Sequence, residues 1–370
     1  MKVPNKILVL TNNIAGLYTF RKEVIKAVYN EGYRVSISGP DYDDERVAYF
    51  KEIGCQIIKT KFNRRGMNPL ADMKLMFRYR KMINQLKPIA VLSYTIKPNV
   101  YGGIACRLTG TPQVANVTGL GDAVENGGWL QKLTVGLYKY GIGKAKKVFF
   151  QNNANRDFCI QHGISDENSF LLPGSGVNLQ YHSYQEYPLD DGMIKFLFIG
   201  RLLKDKGANE LFEAAKLIKD RYPQTEFQIV GSVEGDFQCQ LEELVNAGVL
   251  KFLGPQIDVR SFIGSVHCTI MPSYHEGMSN VNLESAANGR PVITTNVPGC
   301  KETVDDGKSG FLIEAKSAKS LVDAIERFIA LPYGQKVLMG QEGRKKVERE
   351  FDRQIVIDAY LKELKRISNV

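Results

Sequence analysis

The stretch of sequence that decides the fold is PSYHEGMSNVNLE, residues 272–284. It follows a short apolar run, residues 268–271, which predicts a buried strand, and it leads into a predicted helix over residues 281–288. Glu276 is therefore placed on the loop between strand and helix, and Glu284 inside the helix. A strand, a loop and a helix in this order predict one unit of a parallel α/β sheet.

The start of this predicted helix suits a phosphate group. The small polar residues Ser279 and Asn280 stand where the helix begins. A helix N-terminus offers unpaired backbone N–H groups and the positive end of the helix dipole, and both attract anions. Glu284, just inside the helix, can accept hydrogen bonds from sugar hydroxyls beside that phosphate. These features together predict a nucleotide-sugar site.

Strand and helix signals alternate along most of the chain in two series. The first series has predicted strands at residues 7–10, 34–38, 90–93, 113–117, 147–151 and 169–172. The second series follows the polar stretch 183–192, with predicted strands at residues 195–199, 226–230, 250–253, 269–271, 292–295 and 311–313. Two charged helices are predicted at the end of the chain. We therefore expect an α/β protein with two Rossmann-like, doubly wound parallel-sheet domains facing a deep cleft, and a C-terminal helical tail.

Domain boundaries follow from the same pattern. At 370 residues the chain is too long for one ordinary core. We expect an N-terminal domain over residues 1–185, a C-terminal domain that binds the nucleotide sugar over residues 193–350, and a helix over residues 353–370 that packs back toward the N-terminal domain. The first strand is not followed by G-x-G-x-x-G, so the sequence does not predict a dinucleotide-binding site.

Cysteine usage and hydropathy indicate an intracellular protein. The six cysteines are scattered without a CxxC pair, which fits reduced thiols better than a disulfide framework or a zinc site. The N-terminal apolar run, residues 7–10, is too short for a signal peptide, and no run approaches the roughly 18 residues that span a bilayer. The expected location is the cytoplasm.

A basic segment over residues 59–81 accounts for much of the net charge of +9. Eight lysines and arginines in this segment stand against one acidic residue, Asp72, and apolar side chains are interleaved with them. Such a segment can lie on an anionic membrane surface or bind an anionic substrate. The alternative interpretation is a solvated helix face.

A second charged loop, GRLLKDKG at residues 200–207, follows the predicted strand 195–199. Because parallel strands end at one edge of a sheet, this loop and the 272–284 loop are expected at the same edge. Arg201 and Lys206 can neutralise a diphosphate there and stabilise it as a leaving group. The alternative is a basic loop that faces solvent.

Taken together, these two loops resemble the signature of the retaining glycosyltransferases of family four, which have the GT-B fold. The resemblance extends over nearly the whole chain and is strongest over residues 195–315. It implies that Arg201 and Lys206 hold the diphosphate of the donor, that Glu284 binds its ribose hydroxyls, and that Glu276 faces the transferred sugar. Backbone N–H groups of the helix N-terminus would complete the donor site, at Met278, Ser279 and Asn280.

The resemblance also implies a reaction without a metal or other cofactor. Basic side chains and the helix dipole would do the work of a cation, and the acceptor hydroxyl would be the nucleophile. Asp41-Tyr42-Asp43 matches the D-x-D motif of metal-dependent glycosyltransferases of another fold. We interpret it as a solvated acidic loop.

The N-terminal half departs from the commonest family pattern. The loop after the first strand has one glycine, Gly16, where many members have two, and we assign it to donor binding. Asn116 and Thr118 stand in a region where many members have a histidine, and they are candidates for a sugar contact. Lys97 and His275 are further candidates for sugar or acceptor contacts. The isolated histidines His162, His182 and His267 are expected to be structural or exposed.

Several N-terminal motifs resemble the branch that builds bacterial capsules, O-antigens and N-linked glycans, among them residues 94–99 and 118–121. Members of that branch add sugars, often N-acetylhexosamines, to polyprenyl-diphosphate-linked acceptors at the cytoplasmic membrane face. The resemblance implies a peripheral membrane enzyme that uses a UDP-sugar and binds no nucleic acid. The alternatives are a GT-B-fold nucleotide-sugar epimerase and a non-catalytic lipid-binding protein.

Overall fold

A computed structural model describes residues 5–40, 45–63, 68–120 and 128–369. The chain folds into two compact units. The first unit combines Met1–Ser175 with Gln354–Val370, and the second is Gly176–Arg353. Within the described residues, no helix is long and apolar enough to cross a bilayer.

The first unit is built on a parallel sheet in which the described strands follow the order β3-β2-β1-β4-β5-β6-β7. These strands are β1 Lys6–Leu10, β2 Arg34–Gly39, β3 Gln56–Lys59, β4 Ala90–Tyr94, β5 Gln113–Val117, β6 Lys147–Phe150 and β7 Ser169–Leu171. The central strands are buried along their whole length, because helices cover both faces of a parallel sheet. The strand order reverses between β1 and β4, which makes the carboxyl ends of these strands the expected binding edge.

Helices of the first unit connect these strands: α1 Ile14–Asn30, α2 Glu45–Glu52, α3 Pro69–Leu86, α4 Gly103–Thr109, α5 Gly128–Ile142 and α6 Asn153–Gln161. A single π-helical turn, Pro98–Gly102, precedes α4. Helix α1 begins at Ile14, because the Asn13 side chain caps its N-terminus and accepts a hydrogen bond from the Gly16 N–H.

The second unit has a parallel sheet of order β10-β9-β8-β11-β12-β13. Its strands are β8 Ile194–Ile199, β9 Thr225–Val230, β10 Leu250–Phe252, β11 Cys268–Met271, β12 Val292–Thr295 and β13 Gly310–Ile313. Its helices are α7 Ala208–Arg221, α8 Phe237–Asn246, α9 Arg260–Gly264, α10 Asn280–Ala287, α11 Ala318–Ala330 and α12 Tyr333–Glu350. Short 3₁₀ turns lie at Lys204–Lys206 and Lys301–Thr303. Two parallel β-sheets, each with its connecting helices, confirm the predicted α/β fold class.

The last helix, α13 Arg353–Ser368, supplies side chains to the core of the first unit. Val356, Tyr360 and Leu364 are at most 1% exposed and share a hydrophobic cluster with strand residues such as Ile7 and Val9. Residues far apart in sequence therefore form one core.

The boundary between the units lies at Ser175–Gly176, ahead of the polar stretch 183–192 expected as a linker. The segment after Gly176 belongs to the second unit because hydrogen bonds and hydrophobic contacts attach it to residues of that unit. The Val177 N–H donates to the Phe351 carbonyl at 2.8 Å, and the Val177 side chain is buried in the cluster that contains Phe351.

A buried arginine fastens the predicted linker to the second unit. Arg290 is fully buried, and its guanidinium donates to the backbone carbonyls of Gln185 at 2.9 Å, Glu186 at 2.7 Å and Gly264 at 2.6 Å. A buried guanidinium requires such partners, because an unpaired buried charge is costly. Polar composition alone therefore mislocates the boundary.

Candidate functional site

Two loops of the second unit meet at the carboxyl edge of its sheet, as predicted. The strands that precede them, β8 and β11, are neighbours in the sheet. The Tyr274 N–H donates to the Asp205 carbonyl at 2.9 Å, which joins the two loops directly. Gly207 has φ of 73°, and a Cβ atom there would lie 2.3 Å from the Pro272 carbonyl oxygen. Only glycine allows so close an approach.

Lys206 and Glu276 form an ion pair between these loops. The Ser273 hydroxyl donates a second hydrogen bond to the same carboxylate oxygen of Glu276, at 3.0 Å. The side chains of Lys206 and Glu276 are 23% and 17% exposed, so the pair is only partly hydrated. The structure thus brings together two of the three residues predicted to be catalytic.

Arg201 lies in the same loop but forms a different ion pair. Its guanidinium donates to the Glu234 carboxylate at 2.9 Å, and both side chains are about half exposed. Exposed ion pairs contribute little free energy, on the order of 0–1 kcal/mol. Arg201 can therefore leave Glu234 for a phosphate at small cost, and its role as a diphosphate ligand stays a prediction.

The N-terminus of α10 is partly used by the protein itself. The Ser279 side chain caps the helix by accepting from the Asn282 N–H. The backbone N–H of Ser279 donates to the Gly299 carbonyl at 2.7 Å, so this N–H group does not point at a ligand as the sequence analysis expected. Gly299 has φ of 83°, and a Cβ there would lie 2.2 Å from the Glu276 carbonyl oxygen, which explains the glycine.

Met278 anchors the loop by its side chain, which is 6% exposed and packs in a cluster with Leu283 and Val177. Asn280 is half-buried as the first residue of α10, and its amide donates to the Met278 carbonyl at 3.4 Å. His275 is exposed on the same loop. Donor contacts by the Met278 and Asn280 N–H groups and by His275 stay predictions.

Glu284 projects from the middle of α10, and its side chain is 21% exposed. Burial raises the pKa of its carboxyl to about 7, although Arg353 opposes the shift. The His182 Nε2 atom lies 4.0 Å from Glu284 Oε1, and His182 is itself buried. Of the two alternatives expected for His182, structural or exposed, the burial of its side chain supports the structural one. No local pattern pointed to this neighbour, because the contact joins segments far apart in sequence.

The N-terminal candidates are used in ways that the sequence did not predict. The Gly16 N–H donates to Asn13 Oδ1 at 2.9 Å and so serves the helix cap. Asn116 is 1% exposed, and its amide donates to the Tyr360 hydroxyl at 2.8 Å. The Asn116 side chain thus binds helix α13, not a sugar. Thr118 lies half-buried just after β5.

Lys97 is held by an acidic residue of α3. Its ammonium donates to Asp72 Oδ1 at 2.7 Å, and the Tyr101 hydroxyl donates to Asp72 Oδ2 at 3.0 Å. The side chains of Lys97 and Asp72 are only 12% and 7% exposed. The single acidic residue of the basic segment is therefore turned inward, and the outer face of α3 stays positively charged.

The outer face of α3 combines apolar and basic side chains. Leu70, Met73 and Phe77 are 73%, 51% and 52% exposed, at helical spacing. Lys74, Arg78 and Lys81 are exposed beside them. Arg64 and Arg65 of the basic segment lie outside the described residues, as does the Asp41–Asp43 motif.

Each of the two units contains a match to a known protein family. Residues 183–346 match the family described as "Glycosyl transferases group 1", and residues 6–152 match the family described as "Glycosyl transferase 4-like". Each match falls within one unit, and together they take in most of the chain.

Two bacterial relatives match over most of their length. The N,N'-diacetylbacillosaminyl-diphospho-undecaprenol alpha-1,3-N-acetylgalactosaminyltransferase of Campylobacter jejuni is 27% identical over 327 residues, covering 84% of this chain and 86% of the relative. The UDP-Gal:alpha-D-GlcNAc-diphosphoundecaprenol alpha-1,3-galactosyltransferase of Escherichia coli is 27% identical over 342 residues, covering 85% of this chain and 84% of the relative.

A similar solved structure is that of Anabaena Alr3699/HepE in complex with UDP and glucose. It is 18% identical to this chain, with a TM-score of 0.78 over 98% of this chain and 99% of the other. At this identity the likeness establishes a shared fold.

Proposed function

This chain is a glycosyltransferase that joins a glycosyl transferase 4-like domain to a group 1 domain, and from that premise we propose its substrates and mechanism. The donor is a UDP-sugar, and the sugar that it carries is an N-acetylhexosamine. The acceptor is a polyprenyl-diphosphate-linked saccharide in surface polysaccharide or glycan biosynthesis. The sugar is transferred with retention of its anomeric configuration and without a metal ion.

The observation that carries the donor assignment is the meeting of Lys206 and Glu276 beside the N-terminus of α10. A diphosphate that enters this edge offers Lys206 a more highly charged partner than Glu276. When Lys206 turns to the diphosphate, the Glu276 carboxylate can accept hydrogen bonds from the hydroxyls of the transferred sugar. Arg201 is separated from the end of β8 by Gly200 alone, and it adds a second cation for the leaving group.

The proposed chemistry needs no enzymic base. The acceptor hydroxyl attacks the anomeric carbon on the face from which UDP departs, the bond from that carbon to the diphosphate oxygen breaks, and the hydroxyl proton passes to that oxygen. Lys206, Arg201 and the dipole of α10 stabilise the charge that develops on UDP. Preorganised cations at this edge support a metal-independent reaction.

A lipid-linked acceptor is supported by two independent features. The two bacterial relatives are named for acceptors linked to undecaprenol through a diphosphate. The outer face of α3 carries exposed apolar side chains between basic ones, which suits a helix that lies on anionic lipid. We propose that this face places the enzyme on the inner surface of the cell membrane.

Transfer assays test the proposal. The protein is incubated with a panel of UDP- and GDP-sugars and a polyprenyl-diphosphate-linked monosaccharide, with and without EDTA, and the lipid product is identified by mass spectrometry and its linkage by NMR. We expect elongation of the lipid-linked sugar with a UDP-sugar, unchanged by EDTA, and an anomeric configuration equal to that of the donor. Inhibition by EDTA, or an inverted linkage, contradicts the mechanism.

The epimerase alternative is separated by leaving out the acceptor. An epimerase converts UDP-sugar alone, whereas a transferase leaves its sugar configuration unchanged. Both relatives described above are named as transferases, which supports transfer. A non-catalytic lipid-binding protein would not bind UDP. Binding of UDP in a titration of the protein therefore excludes this alternative.

A further inference from the structure

The loop that follows β4, residues 95–97, joins a strained residue to a lysine at the carboxyl edge of the first sheet. Strand β4 stands where the strand order reverses, and ligands of open α/β sheets bind at that point. Thr95 has φ of 73°, which is unusual for a β-branched residue, and within the described residues its covered hydroxyl has no hydrogen-bond partner. Strain of this kind occurs most often at binding and active sites.

Buried hydrogen bonds hold the residues on both sides of this loop. Ser93 Oγ donates to Asn99 Oδ1 at 2.8 Å, and the Asn99 amide donates to the Asn116 carbonyl at 2.8 Å. Gln113 Nε2 donates to the Ser93 hydroxyl and to the Asn99 carbonyl. The π-helical turn Pro98–Gly102 begins directly after the loop, and such turns are frequent at functional sites. The loop is therefore held in a fixed conformation.

Lys97 belongs to an arrangement that has a counterpart in the second unit. Its ammonium donates to Asp72, and the Tyr101 hydroxyl donates to the same carboxylate. In the second unit the Lys206 ammonium donates to Glu276, and a serine hydroxyl again donates to that carboxylate. Each lysine follows a strand at the point where the order of its own sheet reverses. The same three groups thus recur at the expected binding edge of both sheets.

This arrangement allows the carboxylate to give up its lysine to an anionic ligand. A diphosphate carries more negative charge than one carboxylate, so it offers an ammonium a stronger partner. Tyr101 still donates to Asp72 when Lys97 turns away, and burial, together with Asp72, raises the pKa of Tyr101 above its ordinary value, so the phenol keeps its proton. Asp72 also lies in the first turn of α3, where the helix dipole favours a negative charge.

We propose that Lys97 binds the diphosphate of the lipid-linked acceptor, and that Asp72 holds its ammonium in place until the acceptor arrives. The inference rests on the proposed function, because it takes a polyprenyl-diphosphate-linked saccharide as the acceptor. The Lys97 side chain keeps 12% of its surface exposed, and the adjacent Ile96 is 42% exposed, so the loop is open to solvent. Asp72 is the single acidic residue of the segment 59–81, so the charges around the pair attract an anion.

Calorimetric titration of the full chain with farnesyl diphosphate, in the presence of saturating UDP, tests this inference. UDP fills the donor site, so the prenyl diphosphate reports on a second site. We expect Lys97→Met to weaken binding by about tenfold or more, because a charge-assisted hydrogen bond to the diphosphate is lost. Asp72→Asn should tighten binding by about twofold or more, because it releases Lys97 from its ion pair. An ion pair with a structural role alone predicts weaker binding in both variants.

Lys346→Met is the matched control. Lys346 donates to Asp305 at 2.8 Å and its side chain is 9% exposed, but it belongs to α12 of the second unit. Farnesyl diphosphate should bind this variant as tightly as it binds wild type. Inorganic pyrophosphate, which lacks the prenyl chain, should lose the same factor in Lys97→Met, because Lys97 contacts the phosphates and not the chain.

The double variant Lys97→Met/Asp72→Asn leaves neither buried charge without its partner, and thermal denaturation verifies that each variant is folded. If Lys97→Met does not fold, the double variant takes its place and should show the same loss of binding. The inference is overturned if the lysine variant stays within twofold of wild type, if Asp72→Asn fails to tighten binding, or if UDP-loaded wild type does not bind farnesyl diphosphate. The proposed function fails separately, if wild type binds no UDP or transfers no sugar to a lipid-linked acceptor.

Discussion

The Tyr274 hydroxyl donates a hydrogen bond to the Glu210 carboxylate at 2.8 Å, while its backbone N–H binds the Asp205 carbonyl. One residue thus ties the loop that carries Glu276 both to the turn that carries Lys206 and to helix α7. Burial, together with the Glu210 carboxylate, raises the pKa of Tyr274 to about 12, so the phenol stays a donor at physiological pH.

Tyr274→Phe should weaken catalysis by loosening this loop. The variant loses a hydrogen bond to a charged group, about 1.5–3 kcal/mol, and we expect kcat/KM to fall about 4- to 12-fold if half of this free energy holds the loop in place. Tyr187→Phe is the control, because Tyr187 donates to the His267 carbonyl elsewhere in the same unit. It should lower stability but leave kcat/KM nearly unchanged; equal kinetic effects in both variants contradict the positioning role.

Lys206→Met should lower turnover by about 100-fold or more, because a preorganised cation at the leaving group is lost. The fold should persist, since the pair with Glu276 is partly exposed. Steady-state kinetics and circular dichroism measure the two effects. Unchanged turnover in a folded Lys206→Met variant rules out its role at the diphosphate.

Arg201→Ala should also cut turnover, and it has a matched control in Arg221→Ala. Both arginines form exposed ion pairs with a glutamate at 2.9 Å and are about half exposed. Any difference between the variants therefore comes from location, since the free energy of the two pairs is similar. We expect loss of activity and weaker UDP binding for Arg201→Ala only; parallel behaviour of both variants contradicts the assignment.

Arg290→Met should destabilise the second unit by at least about 3 kcal/mol, because several buried carbonyls lose their donor together. Urea denaturation followed by the fluorescence of a probe at exposed Cys239 measures the free energy of unfolding of this unit. Lys219→Met provides a comparison, because its ammonium bonds backbone carbonyls at the surface. A loss as small as that of Lys219→Met means that the buried guanidinium does not hold the segment 185–186.

Phe77→Ser should reduce binding to vesicles that contain anionic lipid, and Lys74→Gln should reduce it further by about 1 kcal/mol per charge removed. Leu189→Ser, which removes an 81% exposed apolar side chain of the second unit, is the control. Co-sedimentation at low and high salt separates the charge effect, because added salt screens it. Equal partition of the Phe77 and Leu189 variants contradicts membrane docking by α3.

Local signals predicted the fold and the placement of the Lys206 loop and the Glu276 loop at one edge of a sheet. Buried strands appear as apolar runs, and parallel strands bring the loops after them to one edge. The pairing of the Ser279 N–H with Gly299, the contact of His182 with Glu284 and the use of Asn116 by Tyr360 were not predictable in this way. Each joins segments distant in sequence, and no spacing rule encodes such a contact.

The boundary between the units differs from the predicted one for a related reason. A polar stretch is a fair sign of a linker, but a buried arginine can bind the backbone of such a stretch as firmly as a strand would. Arginine is rarely buried, so the sequence alone does not mark Arg290 as a buried residue.

Helix α13 gives the first unit a dependence on the order of synthesis. Domains generally fold one after another as the chain leaves the ribosome, beginning at the N-terminus. Here Val356, Tyr360 and Leu364 belong to the core that contains Ile7, so this core is complete only when α13 has emerged. The first unit therefore cannot finish folding before the second unit has been translated, and a nascent chain should expose apolar surface of the first unit to chaperones until α13 has left the ribosome.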